Sequence, residues 1–200
     1  MIYKPMQDQT DRIYVKDNDI KISVVIPTYN RVNELRVLIP SLLNQSLPKD
    51  KFEIIVVDDG STDSTQEYIK VLQQNNGNLR YIKINNSGRS VARNKGAAEA
   101  HGNILAFIDS DCIADKEWLS EIYKEFSANP NLLVARGPVL SDLPNLPPFI
   151  HSCIYDENIA TGVFAIKKSF FNEIGGFDII LSYYAEDVEI WFKIKKLTSQ

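Results

Sequence analysis

Apolar runs alternate along this chain with stretches in which apolar positions recur every three or four residues. Residues 20–27 (IKISVVIP) form a β-branched run that reads as a buried strand. Leu35, Leu38, Ile39, Leu42 and Leu43 then fall at i, i+3, i+4, i+7 and i+8, the stripe of an amphipathic helix. Pro40 lies inside that stripe and lacks an N–H, so the spacing predicts one kinked helix rather than two elements. Residues 52–57 (FEIIVV) repeat the strand pattern and run through Asp58-Asp59-Gly60-Ser61-Thr62-Asp63 into a helix carrying Tyr68, Ile69 and Leu72. Asp63 with Gln66, or Ser64 with Glu67, fits a capping box at its start.

The rhythm continues with a strand at 79–84 and a small-residue helix over about 90–101, which Gly102 is placed to terminate. A strand at 104–108 (ILAFI) ends in Asp109-Ser110-Asp111, and a helix around Trp118, Leu119, Ile122, Tyr123 and Phe126 leads to a strand near 132–135. Strand–helix repetition of this kind predicts an open doubly wound α/β domain, a mostly parallel sheet with helices on both faces. After Gly137 the pattern breaks. The proline-rich stretch 143–149 reads as a loop or crossover. A short strand (162–166), a short helix (168–174), a Gly175-Gly176-Phe177 turn and a last helix (185–197) follow, with Glu186 and Asp187 in its first turn. Residues 1–19 read as a polar leader and 20–200 as a single domain.

Composition narrows the function class. With 44% hydrophobic and 24% charged residues the chain is an ordinary globular one, which excludes disorder, collagen and coiled coil. A net charge of −4 argues against nucleic acid as partner. Cys112 and Cys153 stand in no metal-ligand spacing and make no disulfide scaffold, so a reducing compartment is expected. No stretch reaches the ~20 apolar residues of a membrane span, and 1–19 has no signal-peptide core. The expected localisation is cytoplasmic, with peripheral membrane association left open.

Ligands of open α/β sheets bind beyond the carboxyl ends of the strands. Here those ends carry Thr28-Tyr29-Asn30, Asp58-Asp59 and Asp109-Ser110-Asp111. On an extended backbone Asp109 and Asp111 share a side, a like-charge pair that a divalent cation, Mg²⁺ or Mn²⁺, would compensate. In isolation, one Asp would cap the next helix and the other would be solvated. Asp58 and Asp59 are adjacent and should point oppositely, so only one faces ligand. Tyr29 is placed either to stack on a flat ring or to sit half-buried in the core. Of Arg89, Arg93 and Lys95, Arg93 has the strongest claim to a diphosphate; the other two read as solvated. No GxxxxGK[ST] or GxGxxG occurs. Glu186 and Asp187 suit the helix dipole, and a carboxylate kept ionised there also suits a general base. His101 reads as a helix C-terminal residue and His151 as a loop residue.

The segments VVIPTYNR (24–31), VVDDGSTD (56–63), ARNKG (92–96), FIDSDC (107–112), GGFD (175–178) and AEDVEIW (185–191) together resemble family 2 glycosyltransferases of the GT-A fold, in the family's order. The resemblance implies metal-dependent, inverting transfer of a sugar from a nucleotide-diphosphate donor, UDP foremost, to a carbohydrate, lipid-linked or protein acceptor. It implies Pro27, Tyr29 and Asp59 at the base and ribose, Arg93 at the base or diphosphate, and Asp109 at ribose or metal. Asp111 would be the direct metal ligand, Asp187 the general base, and Glu186 would help to orient the acceptor. The Gly162-Val163-Phe164 strand would border the donor sugar and acceptor. Family members usually continue past the last helix, so the resemblance also implies truncation at the C-terminal side. Alternatives are a non-catalytic nucleotide-sugar-binding module or synthase fragment, a sugar nucleotidyltransferase, or a structural α/β protein. The nucleotidyltransferase lacks its glycine-rich Arg/Lys loop here, and the structural reading leaves the acidic strand ends unexplained.

Overall fold

A computed structural model of the chain describes residues 20–136, 163–181 and 186–198, with the backbone alone at Asp187 and Thr198. The leader 1–19, the proline-rich stretch, His151, Cys153, Gly162 and Tyr183-Tyr184-Ala185 lie outside the described residues. The elements run β1 (Ile22–Thr28), α1 (Val32–Leu43), β2 (Phe52–Asp58), α2 (Thr65–Gln73), β3 (Leu79–Lys83) and α3 (Arg89–Glu99). They continue as β4 (Ile104–Ile108), α4 (Trp118–Ala128), β5 (Val134–Ala135), β6 (Val163–Lys167), α5 (Lys168–Glu173) and α6 (Glu186–Thr198).

The six strands lie in the order β3-β2-β1-β4-β6-β5. β1 is parallel to β2 and β4, β2 is parallel to β3, and β6 is antiparallel to both β4 and β5. The mostly parallel α/β sheet expected from the rhythm is present. Alternation along each strand divides the core between two faces. Ile22, Val24, Ile26, Ile54 and Val56 pack with Leu35, Leu38 and Ile39 of α1, Ile69 of α2 and Leu119 of α4. Val25, Ile55, Val57, Leu105 and Phe107 pack with Ala92 and Ala97 of α3, Phe170 and Phe171 of α5, and Ile190 and Ile194 of α6. Fully burying each such Val, Leu, Ile or Phe is worth about 1.5–3 kcal/mol.

Local expectations resolve in detail. Pro40 sits inside one continuous helix. At the start of α2, Asp63 supplies the cap: its Oδ1 accepts the Thr65 N–H at 3.0 Å, while Ser64 makes no side-chain capping bond. Gly102 has another task than ending α3. A Cβ there would lie 2.7 Å from the Ser23 nitrogen and 2.8 Å from the Ile22 carbonyl carbon, so glycine lets the chain pass against β1. The strand expected at 132–135 contracts to the two residues of β5. Among the described residues, no helix is long and apolar enough to cross a membrane.

Candidate active site

The sheet changes its direction of winding between β1 and β4, and there it opens. Pairing of β1 with β2 extends to Thr28–Asp58, but pairing with β4 stops at Val25–Phe107. Odd-numbered positions of β1 bond toward β4, as the Ile104 N–H to Lys21 carbonyl bond (3.1 Å) shows; even-numbered ones bond toward β2, where Thr28 accepts the Asp59 N–H at 2.8 Å. Pro27 is odd-numbered, so its missing N–H falls on the β4 side, past the last pair. The two strands separate beyond it and leave the crevice that this sheet class uses for ligands.

The same alternation sorts the acids at its rim. Asp58 turns to the α1/α2 face, fully buried, accepting the Ser61 N–H (2.8 Å) and the Tyr81 hydroxyl. Asp59 turns to the α3 face and accepts the N–H groups of Ser87 and Gly88, each at 2.8 Å. Gly88, the residue before α3, has φ +93°, a conformation that suits glycine. Only Asp59 of the pair therefore stands beside the crevice, and each of its oxygens keeps a further lone pair. Tyr29 stands at the rim and is 46% exposed, so about half of it is open to solvent. Asn30, with φ +53°, accepts the Thr62 N–H at 2.8 Å and ties the β1 end to the β2 loop.

Small residues bring α3 onto the sheet. A Cβ on Gly96 would sit 2.4 Å from Val25 Cγ1, closer than any packed side chain allows. This seats Arg93 in the interior rather than at the surface: it is 1% exposed. Its Nη2 donates to Asp109 Oδ1 at 2.7 Å and its Nη1 to Glu186 Oε1 at 3.3 Å. The guanidinium carbon lies 5.2 Å from the centre of the Phe177 ring. Glu186 is itself buried and shared, since Arg89 Nε lies 3.2 Å from the same oxygen. Arg89 is thus an ion-pair partner and not merely solvated. Lys95 pairs with Glu99 at 2.8 Å on the surface, as its solvated reading predicts.

Beyond β4 the backbone does not stay extended. The Cys112 N–H donates to the Asp109 carbonyl (3.2 Å), closing a turn, and the period-2 premise for Asp109 and Asp111 fails. Asp109 faces Arg93, whereas Asp111 Oδ2 lies 3.3 Å from Nη1 of Arg31, just before α1. Their side chains remain 34% and 56% exposed, and each spends one oxygen on its arginine. Burial, and to a lesser extent the charges of Asp109 and Asp111, pushes the Cys112 thiol up to about 11. Among the described residues no three His, Cys, Asp or Glu side chains gather as a metal cage. Two hard carboxylates fit Mg²⁺ or Mn²⁺ nonetheless, because such ions take few protein ligands and complete their shell with phosphate and water. Val163 pairs with Ile108, so β6 begins next to the end of β4 that leads into Asp109.

For three residues of this corner, Asn94, Phe177 and Arg31, the sequence does not indicate the part they play. Asn94 holds Phe177 at both backbone groups: its Nδ2 donates to the Phe177 carbonyl (2.8 Å) and its Oδ1 accepts the Phe177 N–H (2.9 Å). Phe177 in turn floors Arg93, and Arg31 covers Asp111. Asn94 and Arg31 stand in the quoted segments ARNKG and VVIPTYNR, but nothing local to either names its partner. The backbone of Asp187 lies in the first turn of α6, next to Glu186.

Known proteins resemble this chain over part or most of its length. Glycosyltransferase GlyA of Streptococcus pneumoniae is 37% identical over 107 residues, which cover 54% of this chain and 15% of GlyA. The minor teichoic acid biosynthesis protein GgaA of Bacillus subtilis is 39% identical over 123 residues, 58% of this chain and 27% of GgaA. The chain thus spans well under two thirds of the length of these curated relatives. Among solved structures, residues 1–349 of Staphylococcus aureus TarS superpose with a TM-score of 0.72 at 24% identity, over 84% of this chain and 53% of that one. The mannosyltransferase PcManGT of Pyrobaculum calidifontis gives 0.65 at 23% identity, over 84% and 49%. Both share the GT-A fold of this sheet. With residues 23–187 matching the glycosyl transferase family 2 model, the chain belongs to that family.

Proposed function

We propose that the chain transfers a sugar, with inversion, from a nucleotide-diphosphate sugar to an acceptor hydroxyl. The supporting observation is the convergence of Asp59, Asp109, Arg93 and Glu186, from four separate segments, on the α3 side of the crevice between β1 and β4. Exposed Tyr29 stacks on the nucleobase while Asp59, with spare lone pairs, accepts from base or ribose; Pro27 backs this pocket. Relatives bind donors of this class: TarS is known with UDP and with UDP-GlcNAc, and PcManGT with GDP-Man and Mn²⁺. For this chain a UDP-sugar is the first candidate.

Asp109 and Asp111 are the residues that would hold Mg²⁺ or Mn²⁺, which when bound supplies charge neutralisation for the departing diphosphate. Arg31, already at Asp111, adds positive charge on that side. Asp187 takes the proton of the acceptor hydroxyl as the oxygen attacks the anomeric carbon and the bond to the diphosphate breaks. General-base help of this kind is worth about 10²–10⁴-fold. Asp187→Asn is expected to lower kcat by that factor while UDP affinity, read by calorimetry with Mn²⁺, stays within about 3-fold. Near-native turnover in Asp187→Asn would remove Asp187 from the role of base.

A further inference from the structure

The charges beneath the crevice form an unbroken chain, buried at its centre and open at its two ends: Asp109, Arg93, Glu186, Arg89. It links the end of β4 to the start of α6 through α3, with contacts of 2.7, 3.3 and 3.2 Å. Glu186 is the joint. One of its oxygens serves two guanidinium groups, that of Arg93, whose side chain is 2% exposed, and that of Arg89, whose side chain is 54% exposed. Ile190 and Ile194, one and two turns farther along α6, are buried in the same core face as Phe177. Glu186 therefore shares the inward stripe of α6 with core residues, and its carboxylate lies within the protein, 5% exposed, rather than at the crevice surface.

We propose that Glu186 is a positioning residue: through Arg93 and Arg89 it fixes the first turn of α6, and through the Arg93–Asp109 pair it ties that turn to the donor side of the crevice. This rests on the reading of Asp109 and Asp187 under the proposed function and replaces direct contact of Glu186 with the acceptor. The physical ground is the shared ion pair. Of the two carboxylates in this relay Asp109 is the solvent-accessible one, so a cation and diphosphate arriving there act on one end of it. Arg93 has no route to solvent, so it answers by redistributing its hydrogen bonds between Asp109 and Glu186. Removing one partner of a buried ion pair is costly, so a change at Asp109 is felt at the Arg93–Glu186 contact.

The test is amide hydrogen exchange on the full chain, read at residues 190–194, whose N–H groups donate to the carbonyls of 186–190. Without ligand, Glu186→Gln is expected to exchange about 10-fold faster there, and Arg89→Gln by less, with the β1–β2 amides unchanged. Adding Mn²⁺ with UDP is expected to slow these amides in the wild type and to do so several-fold less in Glu186→Gln. Unaltered exchange in ligand-free Glu186→Gln overturns the positioning role, and so does an undiminished ligand response in that variant. A wild type that shows no response to Mn²⁺ and UDP at any site fails the donor-site reading instead, while the ligand-free comparison still decides the pinning of α6. The pH–rate profile separates the remaining case. If the acidic limb of kcat disappears in Glu186→Gln and persists in Asp187→Asn, Glu186 is itself the base and not a positioning residue.

Discussion

Two ionic clusters stand at opposite ends of the same sheet and treat their carboxylates differently. At the amino end Glu53 of β2 is 1% exposed, and its Oε1 accepts from Ser23 Oγ (2.7 Å) and the His101 N–H (2.6 Å). Its Oε2 meets Arg80 at 2.6 Å and the His101 ring at 3.1 Å. Burial by itself would raise the Glu53 pKa, but the bonds from Ser23, the His101 amide, Arg80 and the His101 ring outweigh it and hold the carboxyl below its usual range. Ser23 also accepts the Gly102 N–H at 2.8 Å, so the cluster knots β1, β2, β3 and the end of α3 together. At the carboxyl end Asp109 and Asp111 each spend one oxygen on one arginine and stay partly open to solvent. Carboxylates whose lone pairs are filled from within hold the sheet; carboxylates left half-filled at the switch point are available to a ligand.

That contrast can be attacked from either end. Glu53→Ala leaves the His101 N–H and the Ser23 hydroxyl without their acceptor and takes from Arg80 its buried carboxylate, leaving it Glu99, and is expected to cost about 3–5 kcal/mol in urea denaturation. If the variant folds with wild-type stability, the amino-end cluster is not structural. The pH dependence is a finer probe. A carboxyl whose pKa is lowered in the folded state stabilises above its unfolded value, near 4.5, and loses that contribution as pH falls through the folded value. The stability of the wild type should accordingly drop between about pH 5 and pH 3 more steeply than that of Glu53→Gln. Equal slopes would mean that Glu53 does not carry the effect. Asp111→Ala should have the smallest effect on folding, within about 1 kcal/mol, since its pair with Arg31 is exposed. Its effect on Mn²⁺-dependent UDP binding should reach at least the ~10–100-fold that loss of an outer-shell partner costs. Destabilisation without weakened binding would reverse the comparison.

The strand and helix order was legible because burial on both faces writes near-continuous apolar runs into parallel strands, and 104–108 was placed to the residue. Which acid faces the crevice was legible only in part. Adjacency showed that Asp58 and Asp59 diverge, but choosing between them requires the amides of Ser87 and Gly88, nearly thirty positions on. The turn closed by the Cys112 N–H could not be foreseen from Asp109-Ser110-Asp111, since period-2 reasoning assumes the strand continues. Glu53 was hidden for the opposite reason. A single acid inside FEIIVV looks like noise in a buried run until Arg80 and His101 fold over it. Arg93 stood out in the sequence as a candidate for a diphosphate, but its burial between Asp109 and Glu186 depends on how far Gly96 lets α3 descend, a distance that no spacing encodes.

Proline at position 27 has a further consequence. Every other residue of the central strand could, after a small shear, donate to whichever neighbour slides alongside; this one has no hydrogen to offer on the side facing β4. The gap between the two strands is therefore protected against zipping closed by the covalent structure of one ring. Replacing that ring with an ordinary amide would give the sheet the means to heal across its own mouth.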